Sequence, residues 1–85
     1  MSKLEKAKER IRQVPKDYTY TEARSLLNAL GYIENNKGKT SGSRVRFYRE
    51  RDGAVIDLHK PHPKDEIKEY AVKQLVINLN ERGDI

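Results

Sequence analysis

The sequence predicts an α+β fold in which flanking helices cover one face of a three-stranded antiparallel sheet. Apolar residues recur at helical spacing near both ends of the 85-residue chain, and they alternate with polar residues in its middle. An Asp52-Gly53 pair separates two of the alternating segments, as in a β-hairpin. The predicted order is therefore helix, helix, strand, strand, strand, helix, with one face of the sheet open to water.

The first two elements are short amphipathic helices over residues 2–13 and 21–30. Apolar residues in both segments lie three or four positions apart, which places them on one side of each helix. Ser2 can cap the first helix because its hydroxyl accepts a hydrogen bond from a free backbone amide. Thr19 and Glu22 have the spacing of a capping box, which predicts the start of the second helix.

Three short strands follow, over residues 32–35, 44–49 and 54–59. In the second and third strands, apolar and polar residues alternate, so one face can be buried while the other stays in solvent. The residues predicted on the open face are Arg44, Arg46, Tyr48, Val55, Asp57 and His59.

Turn-forming residues separate the remaining elements. Residues 36–43 have the composition of a loop, and the prolines in residues 60–63 end the third strand because proline cannot donate to a sheet ladder. A final helix is predicted over residues 65–82, with an apolar stripe along one side and Gly83 after its end.

Two hairpin registers keep the apolar residues of both strands on the same face. A two-residue loop at Asp52-Gly53 would pair Arg46 with His59, whereas a four-residue loop would pair Arg44 with His59. A slip by one residue would turn one apolar set to solvent. Either register therefore places a guanidinium beside the His59 imidazole on the open face.

The positive charge is concentrated in the hairpin region. The chain has a net charge of +5 and a pI of about 9.6, and residues 37–60 contain seven basic and three acidic side chains. The rest of the chain is nearly balanced, with eleven basic and ten acidic residues. A basic segment of this kind is typical of a nucleic-acid surface, although a solvated basic face is the plainer alternative.

The composition argues against several classes of function. Without cysteine, the chain can form neither a disulfide nor a thiolate zinc site, and His59 and His62 alone supply too few ligands for a closed zinc site. Ile33 occupies the position of the first P-loop glycine, so Gly38-Lys39-Thr40 does not predict nucleotide hydrolysis. No apolar run could span a membrane, and we expect a soluble cytoplasmic protein without a cofactor.

His59 is the candidate general base, with Arg44 and Arg46 as its cationic partners. Attack of an RNA 2′-hydroxyl on its own phosphate needs a base, an acid and cations that stabilise the developing charge, but no metal ion. The alternative is that His59 only makes hydrogen bonds at the end of a strand.

A wider group of side chains can contact RNA. Lysines and arginines match phosphate charge, the loop amides can hold a phosphate, and an aromatic ring can stack on a base. Ordinary sheet packing is the alternative for Tyr48. The predicted RNA contacts are Lys37, Lys39, Ser43, Arg44, Arg46, Tyr48, Lys60 and His62.

Several short motifs together resemble the HicA toxin family. They are Gly31-Tyr32, the Lys37–Ser43 loop, Val45 and Phe47, the Leu58–Pro63 segment, and the closing Glu81–Ile85. The resemblance covers residues 18–85, and residues 1–14 are then an N-terminal helical extension of a single domain.

The resemblance implies a fold like a double-stranded-RNA-binding domain. It also implies a ribosome-independent mRNA endonuclease of bacterial or archaeal cells, which a HicB antitoxin inhibits by covering the RNA face. The catalytic histidine of the family follows a Gly-Ser pair, but here Arg44 follows Gly42-Ser43. Either His59 has taken over the catalytic role, or the chain binds RNA without cutting it. A third possibility is a protein-interaction domain for an acidic partner.

Overall fold

The computed structural model describes residues 2–35, 44–61 and 64–85. Within these ranges, three helices and three strands follow in the predicted order, and the strands form one antiparallel sheet in the order β1-β2-β3. The α+β fold class is therefore confirmed. The elements are α1 Lys3–Arg12, α2 Tyr20–Ala29, β1 Ile33–Asn35, β2 Arg44–Arg49, β3 Ala54–His59 and α3 Glu69–Glu81.

The first two helices begin where the sequence predicts them. The Ser2 hydroxyl accepts a hydrogen bond from the Glu5 amide at 3.2 Å, which caps α1. Both hydrogen bonds of the capping box are present between Thr19 and Glu22 at the start of α2. Gly31 follows α2 with a φ of +98°, a conformation that glycine adopts without a Cβ penalty.

The predicted start of α3 at Asp65 is wrong, because the helix begins at Glu69. The preceding residues instead pair with the chain that leads into α2. The Tyr20 amide donates to the Asp65 carbonyl at 2.7 Å, and the Ile67 amide donates to the Tyr18 carbonyl at 2.8 Å. They place Glu66 in an isolated antiparallel bridge with Thr19, so the helix can begin only after this residue.

The hairpin between β2 and β3 has the four-residue loop. Arg44 lies opposite His59, and Phe47 lies opposite Ile56, so the alternative register with the two-residue loop is wrong. The loop is closed by a hydrogen bond of 2.9 Å from the Gly53 amide to the Arg49 carbonyl. The wider loop allows Asp52 to bond both Arg49 and the backbone of β3.

The apolar face of the sheet packs against the helices. Phe47, Ile56 and Leu58 are buried there, and the rings of Tyr20 and Phe47 lie 6.4 Å apart. Ile11 of α1 is fully buried in the same core, so the first helix is packed against the others. No helix in the described part of the chain is long and apolar enough to cross a membrane.

Candidate nucleic-acid interface

The outward side chains of the three strands form what we call the open face. Residues opposite one another on neighbouring strands share a row, and the rows differ in chemistry along the strands. An apolar row lies near the hairpin loop, a charged row lies in the middle, and a cationic row lies at the far end. In that order, the rows are Ile33, Tyr48 and Val55; Asn35, Arg46 and Asp57; and Arg44 with His59.

The cationic row brings the predicted base and its guanidinium partner together. At the edge of the sheet, Arg82 donates a hydrogen bond of 3.1 Å to the Val55 carbonyl. The carbonyl and amide of Val55 therefore point away from β2. By strand alternation, the pair of Arg44 and His59 is then of the non-hydrogen-bonded type. Directly opposite residues of this type have Cα atoms about 4.5 Å apart, and their side chains lie close together.

Arg44 and His59 are both exposed to solvent. Within the described residues, neither side chain has an ion-pair partner, which leaves both able to contact a ligand on the open face. An imidazole beside a guanidinium can transfer a proton next to a bound phosphate. The register therefore puts the two predicted residues opposite one another at the far end of the open face.

Arg46 is placed differently, because it has a carboxylate partner. Its Nε donates to Asp57 Oδ1 at 3.0 Å across the hairpin, and both side chains are largely exposed. This hydrogen bond raises the pKa of the Arg46 guanidinium. A phosphate that binds Arg46 must therefore compete with Asp57, so Arg46 contributes less positive charge to the open face than the sequence suggested.

The apolar row surrounds the predicted stacking residue. Tyr48 is half-buried between Ile33 and Val55, whose exposed fractions are 53% and 41%. Exposed aliphatic side chains on both sides of Tyr48 make this end of the open face apolar. A nucleic-acid base or an apolar side chain of a partner can pack on such a surface. Ile33 was not assigned from the sequence, because its position beside Tyr48 depends on the register between β1 and β2, which no local pattern specifies.

Lys60 is not brought together with the other predicted RNA contacts. Its ammonium lies 6.0 Å from the centre of the Tyr20 ring, and that ring packs against Phe47 on the covered face. Lys60 is nevertheless exposed. Lys37, Lys39, Ser43 and His62 lie outside the described residues, so their part in the interface stays a prediction.

Arg49 belongs to the core and not to the basic surface, so the number of positive charges predicted for the open face is corrected here. Its exposed fraction is only 4%. The alternation of β2 already puts Arg49 on the same side as Val45 and Phe47, so strand parity could have identified it. The open face therefore has one cation fewer than the count over residues 37–60 implies.

The buried guanidinium of Arg49 is fully satisfied by its neighbours. It donates to Asp84 Oδ1 at 2.9 Å, to Asp52 Oδ2 at 2.7 Å and to the Leu30 carbonyl at 3.0 Å. It also lies 4.6 Å from the centre of the Tyr32 ring. These contacts join the hairpin loop, the end of α2 and the C-terminus, which fixes the sheet under the open face.

The titration behaviour of the cluster follows from the same contacts. The hydrogen bond from Arg49 lowers the pKa of Asp52 to about 2. Burial, together with the hydrogen bond to Asp84, raises the pKa of Tyr32 to about 12. Both groups therefore keep their charge state over the physiological range, and they act as structural partners of Arg49.

In the described ranges, histidine and carboxylate side chains form no group of three or more that could hold a metal ion.

Comparison with known proteins identifies the family. Searches of curated proteins and of solved structures gave no significant match. A family model described as the HicA toxin of bacterial toxin-antitoxin systems matches residues 20–80, which include α2, the whole sheet and most of α3. The chain belongs to this family of HicA toxins.

Proposed function

We propose that this chain is the toxin of a toxin–antitoxin pair and that it cleaves mRNA on the open face. His59 acts as the general base, and Arg44 binds the scissile phosphate. The observation that carries the proposal is the direct pairing of Arg44 with His59 across β2 and β3. Membership of the HicA toxin family supports the toxin role, and the exposure of both side chains supports their contact with RNA.

The reaction is a metal-independent transesterification. His59 removes the proton of a 2′-hydroxyl, and the 2′-oxygen then forms a bond to the adjacent phosphorus. The bond from phosphorus to the 5′-oxygen breaks, and that oxygen takes a proton from solvent. The products are a 2′,3′-cyclic phosphate and a free 5′-hydroxyl. Arg44, and Arg46 once it leaves Asp57, stabilise the additional negative charge on the phosphate oxygens.

The remaining contacts position the RNA strand. Tyr48 and its apolar neighbours offer a surface on which a base can stack. Lys37, Lys39, Ser43, Lys60 and His62 are proposed to contact the backbone. We further propose a cytoplasmic protein in which residues 18–85 form the nuclease core and residues 1–14 an extension, and a HicB-type antitoxin that covers the open face.

The test is RNA degradation by the purified chain in the presence of EDTA, with His59→Ala as the first variant. The wild type should produce fragments with 2′,3′-cyclic phosphate ends, and His59→Ala should lose cleavage by about a hundredfold or more while it still binds RNA. Undiminished cleavage by His59→Ala would overturn the catalytic assignment.

A charge-matched pair of variants tests the role of Arg44. Arg44→Ala should weaken both RNA binding and cleavage, because it removes the phosphate ligand beside His59. Arg51→Ala removes the same charge from the exposed hairpin loop at the opposite end of the sheet, and it should change both much less. Equal losses in the two variants would indicate a general charge effect and would count against a specific phosphate site.

A second function is favoured by one observation, the presence of Arg44 where the resemblance to the family leads us to expect the catalytic histidine. The chain could then bind RNA without cutting it. In that case neither the wild type nor His59→Ala cleaves RNA, and binding still weakens steeply with salt because phosphate contacts release counterions. Binding to an acidic partner without any RNA affinity would instead favour a protein-interaction domain.

A further inference from the structure

A groove of about 980 Å³ lies between β3 and α3, and it reaches the open face at Asp57 and His59. Aliphatic side chains of both elements line it, and none of them is used by the proposed cleavage reaction. The aliphatic residues that line the groove are Ile56, Leu58, Ile67, Ala71, Leu75 and Ile77.

The strand beside this groove has an unpaired edge. Within the described residues, β3 pairs with β2 on one side, and no strand pairs with its other side. Arg82 bonds the outward carbonyl of Val55, so by alternation the amide and carbonyl groups of Asp57 and His59 also face outward. Such an edge is a template for an additional strand.

The geometry of the edge matches that of the groove. A strand added to β3 would direct every second side chain to the side where Ile56 and Leu58 lie, which is the side of the groove. These side chains would meet Ile77, which is 43% exposed, and Tyr70, which is 73% exposed. The edge and the groove together therefore suit an extended peptide with an apolar residue at every second position.

The charges around the groove indicate which side chains such a peptide would have at its alternate, outward positions. Four lysines border the groove, against the two carboxylates of Asp57 and Glu66. An acidic peptide is favoured over a basic one by this excess of positive charge. RNA would match the lysines, but it cannot extend the sheet by backbone pairing and gains little from aliphatic walls. The bordering lysines are Lys60, Lys64, Lys68 and Lys73.

We infer that the β3 edge and its groove bind an extended segment of the antitoxin in which acidic and apolar residues alternate, and that this segment adds a fourth strand to the sheet. The inference deepens the proposed antitoxin partnership and rests on it. The docking site adjoins the open face and shares His59 and Lys60 with the proposed RNA contacts, so a segment bound there would also restrict the access of RNA to these two residues.

The test uses the full chain and a dye-labelled synthetic peptide of alternating glutamate and valine, long enough to span β3. Fluorescence anisotropy should detect binding, and a peptide of alternating lysine and valine should not bind. Hydrogen exchange at the amides of Asp57 and His59 should slow when the acidic peptide is bound. The absence of acidic-peptide binding, or equal binding of both peptides, would overturn the inference.

Paired charge reversals make the test specific to the groove. Lys64→Glu/Lys73→Glu should weaken acidic-peptide binding by about tenfold or more. Lys3→Glu/Lys6→Glu makes the same charge change on α1, away from the groove, and should stay within about twofold of the wild type. Equal weakening by both double variants would indicate a general charge effect and would overturn the inference.

Other occupants of the groove give different results. Slower exchange at Asp57 and His59 that depends on protein concentration, without peptide, would assign the edge to a second copy of this chain. Weaker RNA binding in Lys64→Glu/Lys73→Glu, but not in Lys3→Glu/Lys6→Glu, would assign the groove to RNA. Both results would overturn the inference. RNA binding and cleavage are measured separately, so their absence would count against the proposed function alone.

Discussion

Two arginines of β2, three residues apart, show how differently the same side chain behaves on the two faces of one strand. Arg46 lies on the open face, where it shares its charge with Asp57 in solvent. Arg49 lies on the covered face, where it is held by Asp52, Asp84 and a backbone carbonyl. Both are arginines of the basic segment, yet only Arg46 can contact a polyanion.

The difference between the two sites comes from desolvation. An exposed ion pair exchanges contacts with water at little net cost, so it can be broken by a ligand. A buried pair has lost its water, and removal of one partner leaves the other charge unsatisfied. The open face therefore has side chains that are available for binding, whereas the cluster around Arg49 stabilises the sheet that carries them.

The largest expected effect is the loss of the buried arginine. Arg49→Ala should reduce the free energy of unfolding by about 3 kcal/mol, because Asp84 stays buried without its partner. Arg46→Ala is the matched control on the open face and should change stability far less. Urea denaturation of both variants measures the difference.

A double variant separates burial from charge. Arg49→Met/Asp84→Leu replaces both partners by apolar side chains, so it should be more stable than Arg49→Ala. If the double variant were equally unstable, the loss would come from packing or from Asp52, and not from an unpaired charge at Asp84.

The next effect concerns the glycine that packs against Arg49. Gly31→Ala should cost about 1–2 kcal/mol, because an L-residue is strained at a φ of +98°. The new Cβ would also lie 3.3 Å from Arg49 Cδ. Gly83→Ala is the control, since its φ is +78° and a Cβ added there would have no neighbouring atom within 4 Å. Thermal unfolding should show a larger loss for Gly31→Ala, and equal losses would mean that the contact with Arg49 is unimportant.

A smaller effect appears on acidification. The pKa of Asp52 is about 2 in the folded chain, below the value of about 3.9 that is usual for an unfolded aspartate. A carboxyl whose pKa is lowered by folding stabilises the protein above its unfolded pKa, and this contribution disappears as the pH falls from about 4 to about 2. Asp52→Asn should therefore flatten the fall in stability over this range, which urea denaturation at several pH values measures. An unchanged slope for Asp52→Asn would contradict the assignment.

The smallest expected effect is on RNA affinity at the open face. Asp57→Asn releases Arg46 from its ion pair and removes a negative charge, so RNA binding should tighten by about two- to fivefold at low salt. Its stability should change little because both side chains are exposed. Measurement of binding over a range of salt concentrations tests this, and weaker binding would show that Asp57 does not compete with phosphate for Arg46.

Segments on both sides of the family match contribute to the core. Ile11 of α1 is fully buried, and Arg10 forms an ion pair with Glu22 of the capping box. Asp84, beyond the other end of the match, bonds both Arg49 and Tyr32. The packing of this chain therefore uses residues that lie outside the matched region of residues 20–80.

The elements that the sequence predicted well are those specified by local chemistry. Capping residues determine the starts of α1 and α2, and alternation determines which side of β2 and β3 is buried, because these signals act between near neighbours in the chain. The start of α3 was missed because the backbone of Asp65 and Ile67 is hydrogen-bonded to Tyr20 and Tyr18, which are far away in sequence.

Local patterns along the chain were enough to predict the order of the elements, the faces of the strands and the place of His59 on the open side. The choice between the two hairpin registers, the pairing of Arg44 with His59, the ion pair of Arg46 with Asp57 and the burial of Arg49 against Asp84 came from tertiary contacts. Hydrophobic periodicity and capping are local properties of the chain, whereas the partner of a charged side chain depends on which distant segments the folded core brings next to it.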